Sequence, residues 1–377
     1  MAEHKVPTKD EVMSYLRDDR NWGRWGDKGS AGAINLITAE KRIAAAKLVQ
    51  NGRTVSLSRP LPVTPTAENP RPAQHYMTVM DRPPGGAAMD FYGVFYHGTA
   101  TTHIDALCHV WDEGGMWDGK TPDEILGFNG ATYGTVDEWS DGILTRGVLL
   151  DVPKHRGKPY VTVDEPVHGW ELEEIAAAEG VTLEPGDAVM VYSGREIYAA
   201  DNGGTWGGGP TRPGLHASCL KFVRENDVSI LGWDMMDAGP NEYDIPWSVH
   251  GVIFAYGVAL LDNSLLEPLA NACTEENRYE FMLTINPLNV VGGTGSPVRG
   301  ADSSHYATRH GCCAEDIFST SSELQNYAQQ KRWRESQVSR GHSTGRGACR
   351  DPKAVDRAVR SPRATTTTAT RKSPCRW

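Results

Sequence analysis

The sequence predicts an α/β fold, a single catalytic domain with a buried mixed sheet and flanking helices. Three observations carry that prediction. Gly147-Val-Leu-Leu-Asp-Val152, Asp187-Ala-Val-Met-Val-Tyr-Ser-Gly194 and Val228-Ser-Ile-Leu-Gly-Trp-Asp234 are short apolar runs bounded by turn residues, the pattern of strands covered on both faces. Helical patterns interleave with them, Leu172 to Ala178 closing at Gly180, and Ala217 to Glu225. Strands alternating with helices argue for one sheet packed between helical layers. Finally, no run approaches the roughly 18 apolar residues that span a bilayer. Met1 to Asp10 lacks the apolar core of a signal peptide, so a cytoplasmic globular protein is expected.

The remaining elements follow in order. Thr8 to Leu16 suits a short amphipathic helix within an N-terminal extension, residues 1–20. Asn21 to Leu36 is Gly-rich with two tryptophans and reads as a strap over the core or a pocket lid. Thr38 is a good N-cap for a helix over Ala39 to Gln50, ended by Asn51-Gly52. Thr54 to Ser58 alternates like a strand, and Pro60 to Pro84 reads as a proline-rich loop. Met89 to His97 is an aromatic strand that could wall a planar substrate with Tyr92 and Tyr96. Gly203 to Gly209 surrounds Trp206 with glycine and reads as mobile.

Charge divides the chain. Residues 1–300 carry 24 Lys and Arg against 41 Asp and Glu, a net of −17, while residues 301–377 carry 14 against 7, a net of +7. An acidic body lacks the clustered cations that neutralise phosphates, so no nucleic-acid groove is expected. Cys108, Cys219 and Cys273 are far apart in the body and read as buried thiols. After Pro297, Leu and Ile nearly vanish and Arg, Ser and Thr rise. Residues 299–377 are therefore expected to be a basic, disordered tail around a body spanning residues 21–298. The tail reads as an interaction arm or as sequence unrelated to the body.

The chemistry concentrates in His97-Gly-Thr-Ala-Thr-Thr-His103-Ile-Asp105-Ala-Leu-Cys108-His109-Val-Trp111. On an extended strand, His97, Thr99, Thr101, His103, Asp105 and His109 share one face. Imidazoles with a carboxylate suit Zn²⁺ or Mn²⁺. Scattered histidines on a polar strand edge are the bland alternative. Downstream, His250 and Asp262 stand twelve positions apart, and Asp234 and Asp237 follow an apolar strand, where α/β sheets gather functional groups.

This segment resembles the metal motif of the cyclase family of metal-dependent hydrolases, which contains bacterial kynurenine formamidases and isatin hydrolases. That motif reads His-x-Gly-Thr-His-x-Asp-x-Pro-x-His. By resemblance His103 and Asp105 fall on metal ligands and His109 on the acid/base histidine. Thr99 stands at the family's first histidine and Leu107 at its proline. His97, one strand repeat upstream, could supply the missing ligand. His250 and Asp262 match the spacing of a second ligand pair, with Asp for the usual Glu. Phe281 to Pro297 resembles the family's last strand and its Gly-Gly-Thr-Gly-Ser-Pro ending.

The resemblance implies a swivelling β/β/α fold and a homo-oligomer, dimer or tetramer. It implies a divalent metal, Zn or Mn, and hydrolysis of a small-molecule amide, best populated by N-formylkynurenine in tryptophan catabolism. Tyr92, Tyr96, Trp111 and Trp206 are the aromatic groups expected around the substrate. Lactones, cyclic amides or carbamates, or a binding role without catalysis, are the competing expectations.

Overall fold

The computed structural model describes residues 4–207, 209, 211–298 and 301–303. Thirteen strands are present among them: β1 (Thr54–Ser56), β2 (Gln74–Arg82), β3 (Gly85–Gly93), β4 (His103–Asp105), β5 (Leu126–Gly127), β6 (Gly130–Ala131), β7 (Ile143–Asp151), β8 (Ala188–Tyr192), β9 (Ile230–Trp233), β10 (Ala259–Asp262), β11 (Glu280–Ile285), β12 (Gly295–Pro297) and β13 (Ala301–Ser303). Nine of them form one sheet in the order β1-β13-β11-β7-β8-β9-β10-β4-β12. Its centre, β7 to β10, is parallel, and both flanks are antiparallel. The sheet is mixed, as expected. Val148, Leu149, Leu150, Val189, Met190, Val191, Ile230 and Leu231 are fully buried, because helices cover both faces of parallel strands.

Local chemistry explains the helices. Thr8 accepts from the Glu11 N–H and Glu11 reaches back to the Thr8 N–H, a capping box that opens Lys9–Arg17. Val12 and Leu16 on that helix are buried in the common core, so the N-terminal extension belongs to the body. Thr38 caps Ala39–Ala46 through the Lys41 N–H, a shorter helix than the periodicity suggested. The Gly-rich segment after Asn21 is a strap. Trp22, Trp117 and Trp139 donate from their indoles to the carbonyls of Phe254, Gly29 and Ala31.

Three expectations change. The expected loop from Pro60 to Pro84 contains β2, which pairs with β3 in a separate two-stranded hairpin. Its turn follows Arg82, whose pairing with Gly85 closes the ladder, and the prolines concealed its alternation. Second, the segment from His97 to His109 is not one strand: only His103–Asp105 is extended. Third, β13 lies between β1 and β11, so the sheet continues past residue 298. Residues 304–377, where the disordered tail was expected, lie outside the described residues. Among the described residues, no helix is long and apolar enough to cross a membrane.

Glu179 makes the packing sensitive to pH. It caps the C-terminal, negative end of Gly169–Ala178, and its Oε2 is buried without a hydrogen-bond partner among the described residues. Burial first, then the adjacent Asp151 carboxylate, push its acid up to about 8, against the Asp151 N–H that favours the ionised form. The folded protein therefore holds a proton that the unfolded chain releases from about 4.5 upward. Stability should fall as pH rises between those values. Glu179→Gln should melt higher than wild type at pH 9 and the same at pH 4, measured by calorimetry. A constant difference across that range would refute the assignment.

Candidate active site

The site is assembled by strand register. His103 and Asp105 are two residues apart on β4, so they share a face. β10 runs antiparallel beside β4 with Asp262 opposite His103 and Leu260 opposite Asp105. This pairing brings together residues 159 positions apart in the chain. His250 sits in the 3-10 turn Val249–Gly251, just before the helix that feeds β10. Its side chain approaches Asp262 at 3.4 Å.

Asp105 is the centre. His97 Nδ1 lies 2.9 Å and His103 Nε2 3.2 Å from its Oδ1, and His109 Nε2 lies 3.8 Å from its Oδ2. None of these contacts has hydrogen-bond direction. Both Asp105 oxygens and His97 Nδ1 are buried without a hydrogen-bond partner among the described residues. A buried carboxylate is rarely left so unless an ion or water completes it.

The outer ring nitrogens are occupied. His103 Nδ1 faces the Thr101 carbonyl at 2.8 Å, His250 Nδ1 faces Asp237 Oδ1 at 2.7 Å, and His97 Nε2 faces Thr294 Oγ1 at 3.0 Å. Each bond leaves the other nitrogen aimed at the carboxylates, the arrangement of metal-ligating histidines. The donor atoms of His97, Asp105 and His109, and those of His103, Asp105 and Asp262, lie within 4.8 Å of one another. These N and O donors fit a divalent cation.

Electrostatics follow the geometry. Burial opposes charge on Asp105, but the surrounding His109 and His103 hold its acid well below the usual range. Burial also opposes the His103 imidazolium, yet Asp105 and then Asp262 outweigh it and raise His103 to about 9. His109 goes the other way. Burial and the neighbouring His97, His250 and His103 outweigh Asp105 and pull it down to about 4, so it stays neutral at ordinary pH. Its ring stacks on His97 at 3.7 Å with planes 5° apart.

The structure therefore brings together His97, His103, Asp105, His109, His250 and Asp262. Thr99 is not among them: its hydroxyl donates to the Glu68 carbonyl, and the bend after His97 returns that histidine instead. Asp237, rather than Asp262 or Asp234, orients His250. Asp234 caps the N–H groups of Ser193, Gly194 and Arg195. Asp262 accepts from the Trp233 indole, a buried donor that no spacing in the sequence announced.

The aromatic expectations divide. Tyr96 lines the site, its ring 4.4 Å from His97 and its hydroxyl donating to the Gly295 carbonyl. Trp111 is exposed. Tyr92 projects from the exposed hairpin. Trp206 is buried, with its indole donating to the Pro213 carbonyl and its ring over Arg195. A cavity of about 320 Å³ opens beside His97, lined also by Glu68, Arg71, Phe95, Tyr96 and Thr99. His168 is half-buried against Ser218.

Fold and site together define a mixed α/β protein with a buried imidazole–carboxylate centre. A family model described as a putative cyclase matches residues 55–240. The crystal structure of a novel cyclase, 26% identical, covers 76% of this chain and 98% of its own with a TM-score of 0.69. Isatin hydrolase A from Labrenzia aggregata is 18% identical over 70% of this chain and 98% of its own, at TM-score 0.47. A predicted metal-dependent hydrolase from Bacillus stearothermophilus is 15% identical over 67% of this chain and 98% of its own, at 0.41. Among curated proteins none matches the sequence. Over that matched segment the chain is similar to the cyclase family.

Asp105 supplies both candidate donor groups. Asp105→Asn should therefore lose the divalent metal that wild type keeps through dialysis, while its circular dichroism is unchanged. Full metal retention by that variant, read by elemental analysis, would remove Asp105 from the shell.

Proposed function

We propose that this protein is a metal-dependent hydrolase that cleaves the C–N bond of an amide or formamide. The observation that carries the reading is Asp105, fully buried among three imidazoles with both oxygens lacking hydrogen bonds. His97, His103, Asp105 and Asp262 would hold Zn²⁺ or Mn²⁺, with His250 beside them. Bound there, such an ion polarises a carbonyl and lowers the pKa of water to about 7.

The chain's own groups supply the rest. His109 is neutral and open to solvent on one side, with its side chain about a fifth exposed. It takes a proton from the attacking water as oxygen adds to the amide carbon. It returns that proton to the nitrogen as the C–N bond breaks. Asp237 keeps His250 in one tautomer, and Tyr96 offers a flat wall for an aromatic substrate. An aryl formamide of the N-formylkynurenine type fits these groups. Cytoplasmic tryptophan oxidation is the setting that this reading implies.

A second copy of this chain is the partner we propose for the β2–β3 hairpin. Tyr76, Met77, Val79, Met89, Phe91 and Tyr92 are all exposed on it, and an isolated hairpin is at best marginally stable in water. Tyr76, Met89 and Phe91 lie on one face of the hairpin and Met77, Val79 and Tyr92 on the other, so a partner that embraces it covers apolar side chains on both faces. Light scattering should show an oligomer in wild type and smaller species in Phe91→Asp; a monomeric wild type would remove this partner.

Activity should be measured on aryl formamides, lactones, cyclic imides and carbamates. His109→Ala should keep its metal and lose roughly 10²–10⁴-fold in formamide turnover, the usual worth of general acid–base catalysis. Loss of metal with activity would make His109 a ligand instead. Turnover of the rings alone would replace the formamide as substrate. Metal binding without turnover of any member would leave a binding protein.

A further inference from the structure

His97 is the ligand candidate least secured by secondary structure. It lies six residues before β4, on a bent segment without a strand ladder. What holds that segment is a buried charge cluster outside the imidazole centre. We propose that Arg195, braced by Glu68 and Asn263, is a positioning residue that presents His97 to Asp105; this rests on the reading of His97 as a metal ligand.

Three carbonyls of the segment are taken by two side chains. Asn263 Nδ2 donates to the Gly98 carbonyl at 2.7 Å and to the Thr101 carbonyl at 3.1 Å. Arg195 Nη2 donates to the Thr99 carbonyl between them. Arg195 Nη1 in turn donates to Asn263 Oδ1 at 2.7 Å, which fixes the amide so that its nitrogen faces the segment. Asn263 stands at the end of β10 with φ +54°, a left-handed conformation that Asn tolerates better than most residues. The same β10 presents Asp262 to His103, so the clamp and the centre share one strand end.

Glu68 supplies the counter-charge. Its Oε1 accepts from Arg195 Nη2 at 3.1 Å and from the Gly207 N–H at 2.9 Å. Its carbonyl accepts from the Thr99 hydroxyl at 3.0 Å. Gly207 sits so close that a Cβ there would lie 2.9 Å from Thr99 Cγ2, which locks the segment from outside. An ion pair this buried contributes little net stability compared with apolar packing. Its donors instead converge on the four residues that follow His97, and that convergence is the mark of a positioning role.

The test is a cycle of apparent Zn²⁺ affinities, by chelator competition, on the full chain. Arg195→Met, Glu68→Gln and His97→Ala should each bind about 10–100-fold more weakly than wild type, as is usual when groups supporting a ligand are lost. Arg195→Met combined with His97→Ala should bind no more weakly than His97→Ala alone. Wild-type affinity in both clamp variants, or additive losses in the double variant, would overturn the proposal. Glu68→Gln preserves shape if Arg195→Met fails to fold. In metal-free protein, hydrogen exchange at residues 98–101 should quicken in Glu68→Gln while β7 to β9 stay protected. Unchanged exchange there would overturn the clamp, whereas a wild type that binds no Zn²⁺ would overturn the ligand reading instead.

Discussion

One buried carboxylate organises this molecule. Asp105 is enclosed by three ring nitrogens within 3.8 Å, none of them directed to hydrogen-bond it. Leaving a charge in that condition is costly, so the fold must hold it there against its own preference. Strand pairing does so. β4 is only three residues long but lies between β10 and β12, and its backbone is fixed from both sides. His103, His97 and His250 are fixed in turn from behind, by a carbonyl, a hydroxyl and the Asp237 carboxylate. The result is a set of nitrogen and oxygen donor atoms that converge on Asp105, within 4.8 Å of one another in each of two groups.

This arrangement also explains the asymmetry of the two acidic histidine environments. His103 is sealed in and faces Asp105 and Asp262, so carboxylates dominate and favour its charge. His109 faces Asp105 at a longer distance and three other histidines, so burial and repulsion dominate. One histidine is thereby held charged and the other neutral. The division comes from position alone, since the side chains are identical.

Much of this was legible in the sequence because it depends on local pattern. The buried strands around Leu149, Met190 and Leu231 declare themselves by apolar runs, and the helices by Thr caps and Gly stops. His103 and Asp105 are readable because strand parity puts them on one face. His97 was placed near them for an incomplete reason. Parity is lost across the bend at residues 98–101, and tertiary hydrogen bonds from Arg195 and Asn263 bring the ring back. Those partners are 98 and 166 positions away in the chain, and no periodicity links them to the motif. Trp206 misled for the opposite reason: a tryptophan among glycines suggests a mobile aromatic group, but its ring covers Arg195 and is buried. Asp237 lay at the expected strand end, yet only the folded turn at His250 shows which histidine it orients.

The central claim is that Asp105 and His103 are completed by a cation. Anomalous diffraction at the Zn or Mn edge, from crystals grown with that metal, tests it most directly. The account predicts a peak about 2.0–2.3 Å from an Asp105 oxygen and from His103 Nε2, with the His103 and His250 Nδ1 atoms still bonded to Thr101 and Asp237. A peak bound elsewhere, or an Asp105 that remains metal-free at saturating Zn²⁺ and Mn²⁺, would contradict it.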